Sequence, residues 1–248
     1  MKESSQQAYA RFAGLMYLVV DALDIGGVVI LAKISGTGGF LATAHSISAS
    51  ETLYRIGICC GLVGILTTVL LAAGLYVTVK PVDANLAITA LLFRLAEVAL
   101  AGVAIVLAFA TLQIYLEANR TSAFDTSQLA ALADLSSRLS VAPTGLATVV
   151  SVIFFSVGSA IFFYLFLRSA YIPRILAAGG LIASLFCLIT FVSSLVVVQS
   201  SGLLLGIGGL PIGIAEILTG LWLLIRGIRT QPVELQARTN LVAALHDE

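Results

Sequence analysis

Charge is what this sequence has least of. Asp, Glu, Lys and Arg together make up 10% of its 248 residues, 13 basic against 13 acidic, for a formal net charge of zero. With no excess of positive charge and no basic run, the chain lacks the field that holds a phosphate backbone, and nucleic acid is not an expected partner. Histidine is scarcer still. His45 and His246 are the two present, both outside the apolar segments, so a His-based metal centre within those segments is excluded. The HExxH pattern is absent, as are a P-loop and a dinucleotide fingerprint leading into a soluble α/β unit. Cys59, Cys60 and Cys187 form no CxxC pair, have no nearby His, and are expected to be packing residues. The serines lack a base partner. Asp21 and Asp24 fall on one segment, whereas a two-aspartate protease needs carboxylates from two facing elements. A cleavable secretory signal is not expected either, because the apolar run Leu15 to Val20 ends at acidic Asp21 and Asp24, and the first apolar segment is taken as retained.

What the chain has in excess is hydrocarbon. Apolar residues make up 59% of it and its mean hydropathy is +1.07, far outside the range of water-soluble domains. The fold class expected is all-α, a polytopic transmembrane helical bundle of about six spans, at about 20 residues per crossing. Residues 1–248 are taken as a single transmembrane domain, with spans at about 9–34, 53–79, 86–116, 144–167, 174–198 and 203–227. The third is longer than a perpendicular crossing needs and should tilt or project. Pro143 suits the first turn of the fourth. No charge occurs from Ile175 to Ala215, a stretch too long for one crossing, and the polar run Gln199-Ser200-Ser201-Gly202 divides it.

Between the spans, the Gly-rich and polar stretch Ser35 to Ser50 is expected to be an external loop. Leu129, Leu132, Leu135 and Leu139 recur near helical spacing with Asp134 and Arg138 between them, giving a short external amphipathic helix at about 126–141. Residues 228–248 form a polar tail. Orientation follows from Lys and Arg near the span ends, which are retained in the cytoplasm. Lys2, Arg11, Lys80, Arg168, Arg174, Arg226, Arg229 and Arg238 on one side outnumber Lys33, Arg55, Arg120 and Arg138 on the other. Both termini are therefore expected in the cytoplasm.

Five ionisable residues stand where lipid makes charge expensive. Counting at about 1.5 Å per residue from the cytoplasmic helix ends puts Asp21, Glu97 and Glu216 at roughly 16 to 18 Å, Arg94 at about 12 Å and Asp24 at about 22 Å. Each costs about 2.5 to 3.5 kcal/mol at a helix centre, so they must face inward. Asp21 and Asp24 are three apart, as are Arg94 and Glu97, so each pair shares one helix face. Four carboxylates against one guanidinium leave an excess of negative charge. A proton, an entering cation or water, or an outer charge such as Arg55 must balance it. Pro211, after Gly206, Gly208 and Gly209, could kink or unwind the sixth span near Glu216, or simply pack closely as Pro and Gly do in membrane helices. Gly57, Gly61 and Gly64 are expected to form a helix contact face. Ala96-Glu97-Val98 is echoed by Ala215-Glu216-Ile217, a weak hint of two related halves.

Several segments carry a resemblance to a known family. They are Ala10-Arg11-Phe12-Ala13-Gly14-Leu15, Leu53-Tyr54-Arg55-Ile56-Gly57-Ile58, Leu75-Tyr76 with Lys80-Pro81-Val82, Asn85-Leu86-Ala87, Phe93-Arg94-Leu95, the turn Arg168-Ser169-Ala170-Tyr171-Ile172-Pro173-Arg174-Ile175-Leu176, and the ending from Glu216 through Trp222-Leu223-Leu224-Ile225-Arg226-Gly227. Together they resemble an uncharacterised bacterial membrane protein family, domain of unknown function 4386. The family pattern favours Gly where Ala170 and Ala177 stand here. The resemblance implies a six-helix protein of the bacterial cytoplasmic membrane and carries over no catalytic residue.

The reading adopted is a non-enzymatic bundle, transporter-like or ligand- or proton-binding, with Asp21, Asp24, Arg94, Glu97 and Glu216 as its polar centre. Its partners would be the lipid bilayer and a small ligand, proton or cation, with no cofactor. The rival is an interaction or structural protein in which the same cluster only locks helix packing. An intramembrane enzyme comes third.

Overall fold

The structure is a computed structural model that describes residues 3–35, 38–119, 124–140, 145–197 and 202–229. Pro143, Arg120, the divider Gln199-Ser200-Ser201, His246 and the tail beyond Arg229 lie outside the described residues. Eight helices follow one another: α1 (Glu3–Ser35), α2 (Phe40–Ala49), α3 (Glu51–Val79), α4 (Ala84–Glu117), α5 (Thr126–Leu139), α6 (Leu146–Ser169), α7 (Arg174–Val196) and α8 (Gly202–Arg226). Among the described residues there is no strand. All but α2 and α5 are long and apolar enough to cross a membrane. That is what hydrocarbon requires, because a helix satisfies its own backbone N–H and C=O groups where no water can.

The six long helices close into a ring. Each packs on its neighbour in chain order, α1 on α3, α3 on α4, α4 on α6, α6 on α7 and α7 on α8, and α8 returns to α1. The ring is apolar outside and carries its polar side chains inside. Ile175, Val106, Ile182, Leu66 and Ile189 point outward with 60% or more of their surface exposed, while Arg94, Glu216, Ser156, Ser159 and Thr219 are buried. Such an arrangement suits a lipid surround and would be untenable in water. The buried hydroxyls mostly return a hydrogen bond to the carbonyl four residues earlier in their own helix: Thr68 to Gly64, Thr78 to Gly74, Ser156 to Val152, Ser184 to Gly180. Each of these four hydroxyls thereby enters the ring already satisfied.

Close approach between α1 and α8 shuts the ring. A Cβ at Gly14 would stand 2.5 Å from the Leu224 backbone nitrogen and 2.7 Å from the Gly220 carbonyl oxygen, and one at Gly220 would stand 2.9 Å from Tyr17 Cβ. At the same end, Gln7 Nε2 donates to the Arg226 carbonyl and Gln7 Oε1 accepts from Ile228 N. Gln6 donates to the Thr78 carbonyl and to the Tyr171 hydroxyl, and Arg229 N donates to the Tyr171 carbonyl. The start of α1, the end of α3, the α6–α7 turn and the end of α8 are thus tied at one end of the bundle. Nearby, Asp83 caps α4 by accepting from Asn85 N and Leu86 N, and pairs with Arg168 at 3.2 Å. These N–H bonds, that of Leu86 first, and the Arg168 guanidinium hold its carboxyl below the ordinary aspartate value.

One expectation is corrected here and two are made specific. The stretch Ser35 to Ser50 is not all loop: it contains α2, held by Ala44 and Ile47, which are fully buried, and by Phe40 stacked on Tyr115 at 5.5 Å. Its hydroxyls cap α1, Ser46 donating to the Ile34 carbonyl and Thr43 to that of Ser35. Helix α8 runs unbroken through Pro211, so the sixth span does not unwind there. Helix α5 forms as an amphipathic helix, but its inward face is Leu129, Ala133 and Ser136, the last hydrogen-bonded to Thr111 at 2.7 Å, while Leu132, Leu135 and Leu139 face out. Cys187 is buried as a packing residue, whereas Cys59 is exposed.

Ala170 ends α6 in the left-handed region, with φ 53° and ψ 26°. That conformation costs an L-residue about 1 kcal/mol relative to glycine. Ala170→Gly should therefore raise stability by about 1 kcal/mol, seen as a higher Tm in detergent; an unchanged or lower Tm would show that the turn is not under this strain. In the same assay, Gly14→Ala should destabilise by about 1–3 kcal/mol because backbone must move to admit the methyl. Gly26→Ala, with nothing within 4 Å of its added Cβ, should be tolerated.

Candidate functional site

Arg94 is the hub of the ring's interior. It lies on α4 with 2% of its surface exposed, and its aliphatic stem passes Gly158 of α6, where a Cβ would stand 3.2 Å from both Arg94 Cγ and Cδ. Its Nη1 sits 3.2 Å from Glu97 Oε2 and donates to Ser159 Oγ at 3.4 Å. The guanidinium also covers the Phe155 ring, 4.8 Å from its centroid. Helical spacing explains the Glu97 contact, since residues three apart share a face. The Ser159 and Phe155 contacts come from α6 and require the fold.

Around this guanidinium the other acidic groups gather. Glu97, Glu216, Tyr17 and Asp21 all act electrostatically on Arg94, and Asp24 also feels its charge. The four acidic residues singled out from the sequence are thereby brought within electrostatic reach of the Arg94 guanidinium, from α1, α4 and α8. Their surroundings differ. Glu216 is 7% exposed and sealed inside, Glu97 and Asp21 are partly buried, and Asp24 is exposed. Arg55 is not a member, because it pairs with Glu51 at 2.7 Å.

Sequence inspection missed Tyr17, which is 2% exposed and lies one turn before Asp21 on the same face of α1. Its position at i−4 from Asp21 was the available signal. Ser151 and Ser159 were missed too. Ser151 Oγ donates to the Glu97 carbonyl at 3.2 Å, joining α6 to α4 beside the cluster. No periodicity in α6 marks these serines out from its other small residues.

Donors do not match acceptors in this centre. Asp21 Oδ2, Glu97 Oε2 and Glu216 Oε1 are buried oxygens with no hydrogen-bond partner, and so are Arg94 Nε and Thr219 Oγ1. Glu97 Oε2 makes its ion-pair contact with Arg94 without hydrogen-bond geometry. Buried polar atoms are nearly always paired, with protein or with ordered water, so this group of them calls for a partner beyond the side chains described. Among the described residues, no set of three or more His, Cys, Asp or Glu side chains has metal-holding geometry.

A cavity of about 320 Å³ reaches this centre between α1, α3, α4 and α6. Asp24 and Glu97 line it, whereas Glu216, Asp21 and Arg94 do not. From those two carboxylates its walls advance to Leu31 along α1, back to Gly57 along α3, on to Ile105 along α4 and back to Thr148 along α6. All four directions lead toward the end of the bundle that carries α2 and α5. Gly64 of α3 makes room for Asp24, since a Cβ there would stand 2.8 Å from Asp24 Oδ1. The glycines of α3 thus serve both the contact with α1 and the width of the cavity.

Removing the hub should expose the imbalance. Arg94→Leu leaves the carboxylates without their buried cation and should cost about 3–5 kcal/mol, as breaking one side of a buried pair does. Adding Glu97→Gln to Arg94→Leu should return part of that loss, because the amide needs no counter-charge. Thermal unfolding of the two variants in detergent checks this; additive losses would mean that Arg94 and Glu97 do not act as a pair.

No curated protein and no solved structure matches the chain. A family model does match, over residues 12–227, a range that takes in all six long helices in whole or in large part and every member of the cluster. The chain belongs to the family described as Domain of unknown function (DUF4386).

Proposed function

We propose that the chain is a non-enzymatic, transporter-like or ligand-binding bundle in which Asp21, Asp24, Glu97 and Glu216 take up a proton or cation, with Arg94 as the fixed internal charge. The observation that supports this is the mismatch at the centre: four carboxylates gather on one guanidinium, and several of their buried oxygens have no donor. In a low-dielectric interior that excess of acid demands a positive partner. The cavity beside Asp24 and Glu97 offers a way in from one end, while Glu216 sits deeper. The reading places the protein as a single domain in a bacterial cytoplasmic membrane, with both termini in the cytoplasm, in keeping with the distribution of Lys and Arg.

A second reading is favoured by a different observation. Arg94 binds Ser159 and covers Phe155, both on α6, so the cluster also pins α4 to α6. On that reading the charges fix helix packing, and α5 or the C-terminal segment meets a partner protein.

Reconstitution separates the two. Liposomes carrying a pH-sensitive dye and a panel of cations should show a flux that Glu216→Gln and Glu97→Gln each reduce at least tenfold while the variants keep their circular dichroism and Tm. No flux, with substitutions that only lower Tm, would leave the packing role in its place.

A further inference from the structure

The walls of the cavity say what kind of cation it fits. Val28, Leu31, Ile58, Ile65, Ala104 and Ile105 line it, and none of its lining residues is aromatic. Its charged groups, Asp24 and Glu97, are at the deep end with Thr68 and Ser151, and Thr148 lies toward the other end. Both hydroxyls are already engaged as donors, Thr68 to the Gly64 carbonyl and Ser151 to the Glu97 carbonyl. A bare metal ion would need about six oxygen ligands to replace its water, and this end of the cavity supplies two carboxylates in an aliphatic chamber. A proton alone would need no chamber of this size. A volume of about 320 Å³ is at the lower end of that found for small-molecule pockets, which pair apolar walls with a few placed polar groups.

We infer that the cavity between α1, α3, α4 and α6 binds a lipophilic amine in its protonated form, the ammonium at Asp24 and Glu97 and the aliphatic body against the walls formed by Leu31, Ile58, Ala104 and Ile105. This inference rests on the reading of the carboxylate cluster as a cation site and names its ligand. An N–H-bearing ammonium supplies what a quaternary ion lacks, a hydrogen-bond donor for the Glu97 carboxylate, whose Oε2 is buried and has an ion-pair contact with Arg94 but no hydrogen bond. With no aromatic ring in the walls, cation–π capture is not the means of recognition. Aliphatic walls instead select a body of saturated hydrocarbon. Glycine at 61 and 64 on α3 and alanine at 101 and 104 on α4 keep the chamber open, so its capacity is set by the smallness of these side chains.

The probe is 1-aminoadamantane, a rigid saturated cage bearing one ammonium, with 1-adamantanol and sodium ion as comparisons. Isothermal titration of the full chain in detergent should show saturable binding of the amine and none of sodium. The neutral alcohol should bind at least about tenfold more weakly, the factor expected from losing a charge-assisted contact. Asp24→Asn should weaken amine binding by a similar factor. Ala104→Phe, which fills the chamber seven residues along α4 from Glu97, should abolish it; Ala104→Leu serves if the larger residue prevents folding, judged by circular dichroism. Absence of amine binding, equal binding of the alcohol, or indifference to both Asp24→Asn and the filling substitution overturns the assignment. If the amine fails while a proton flux sensitive to Glu216→Gln persists in liposomes, the ligand class falls and the cluster reading stands. If neither binding nor flux is found, both fall.

Discussion

Hydrocarbon dissolves neither an ion nor an unpaired peptide group, and every other feature of this protein follows from that pair of constraints. The second makes the crossing segments helical, because only a helix closes its own hydrogen bonds within one segment. The first drives Asp21, Arg94, Glu97 and Glu216 to the inward faces of α1, α4 and α8, where they meet one another instead of acyl chains. A ring of six helices is a geometry that meets both demands, with an outer surface of Ile, Leu and Val and an interior able to hold polar groups.

Small residues let the helices of the ring come close. In lipid there is no hydrophobic force between helices, so association depends on close packing and on polar contacts. Gly14 and Gly220 let α1 and α8 approach backbone to backbone, and Gly158 lets the Arg94 stem lie against α6. Ser and Thr on the inner faces bond back to their own helices and cost little to bury. Against that background of satisfied groups, the oxygens Asp21 Oδ2, Glu97 Oε2 and Glu216 Oε1 stand out as unmatched.

The crossing helices were legible in the sequence because hydropathy integrates over some twenty residues and is insensitive to detail. The cluster was legible for a related reason: a charge inside an apolar run has few permitted places, and counting turns gave a common depth for Asp21, Glu97 and Glu216. Tertiary partners were not legible. Tyr17, Ser151 and Ser159 are ordinary residues for membrane helices and gain their roles from the neighbours that the ring gives them. Helix α2 was hidden because Gly, Ser and Thr weaken local propensity, and the burial of Ala44 and Ile47 that holds it is a tertiary effect. The leucines of α5 misled by their spacing, since its inward face is built on Leu129 and Ala133 with a serine hydrogen bond. Pro211 left open a kink or ordinary close packing, and the helix passes through it without a break.

Convergence of acid and base across α1, α4 and α8 is the claim on which the account stands, and it can be measured in a bilayer. Solid-state NMR recoupling between guanidinium nitrogens and side-chain carboxyl carbons reads it directly. The account predicts a strong Arg94–Glu97 coupling, consistent with a 3.2 Å nitrogen–oxygen contact, and weaker couplings from Arg94 to Asp21 and Glu216. An Arg94 signal coupled to no carboxyl, with the acidic side chains in contact with lipid acyl protons, would contradict it.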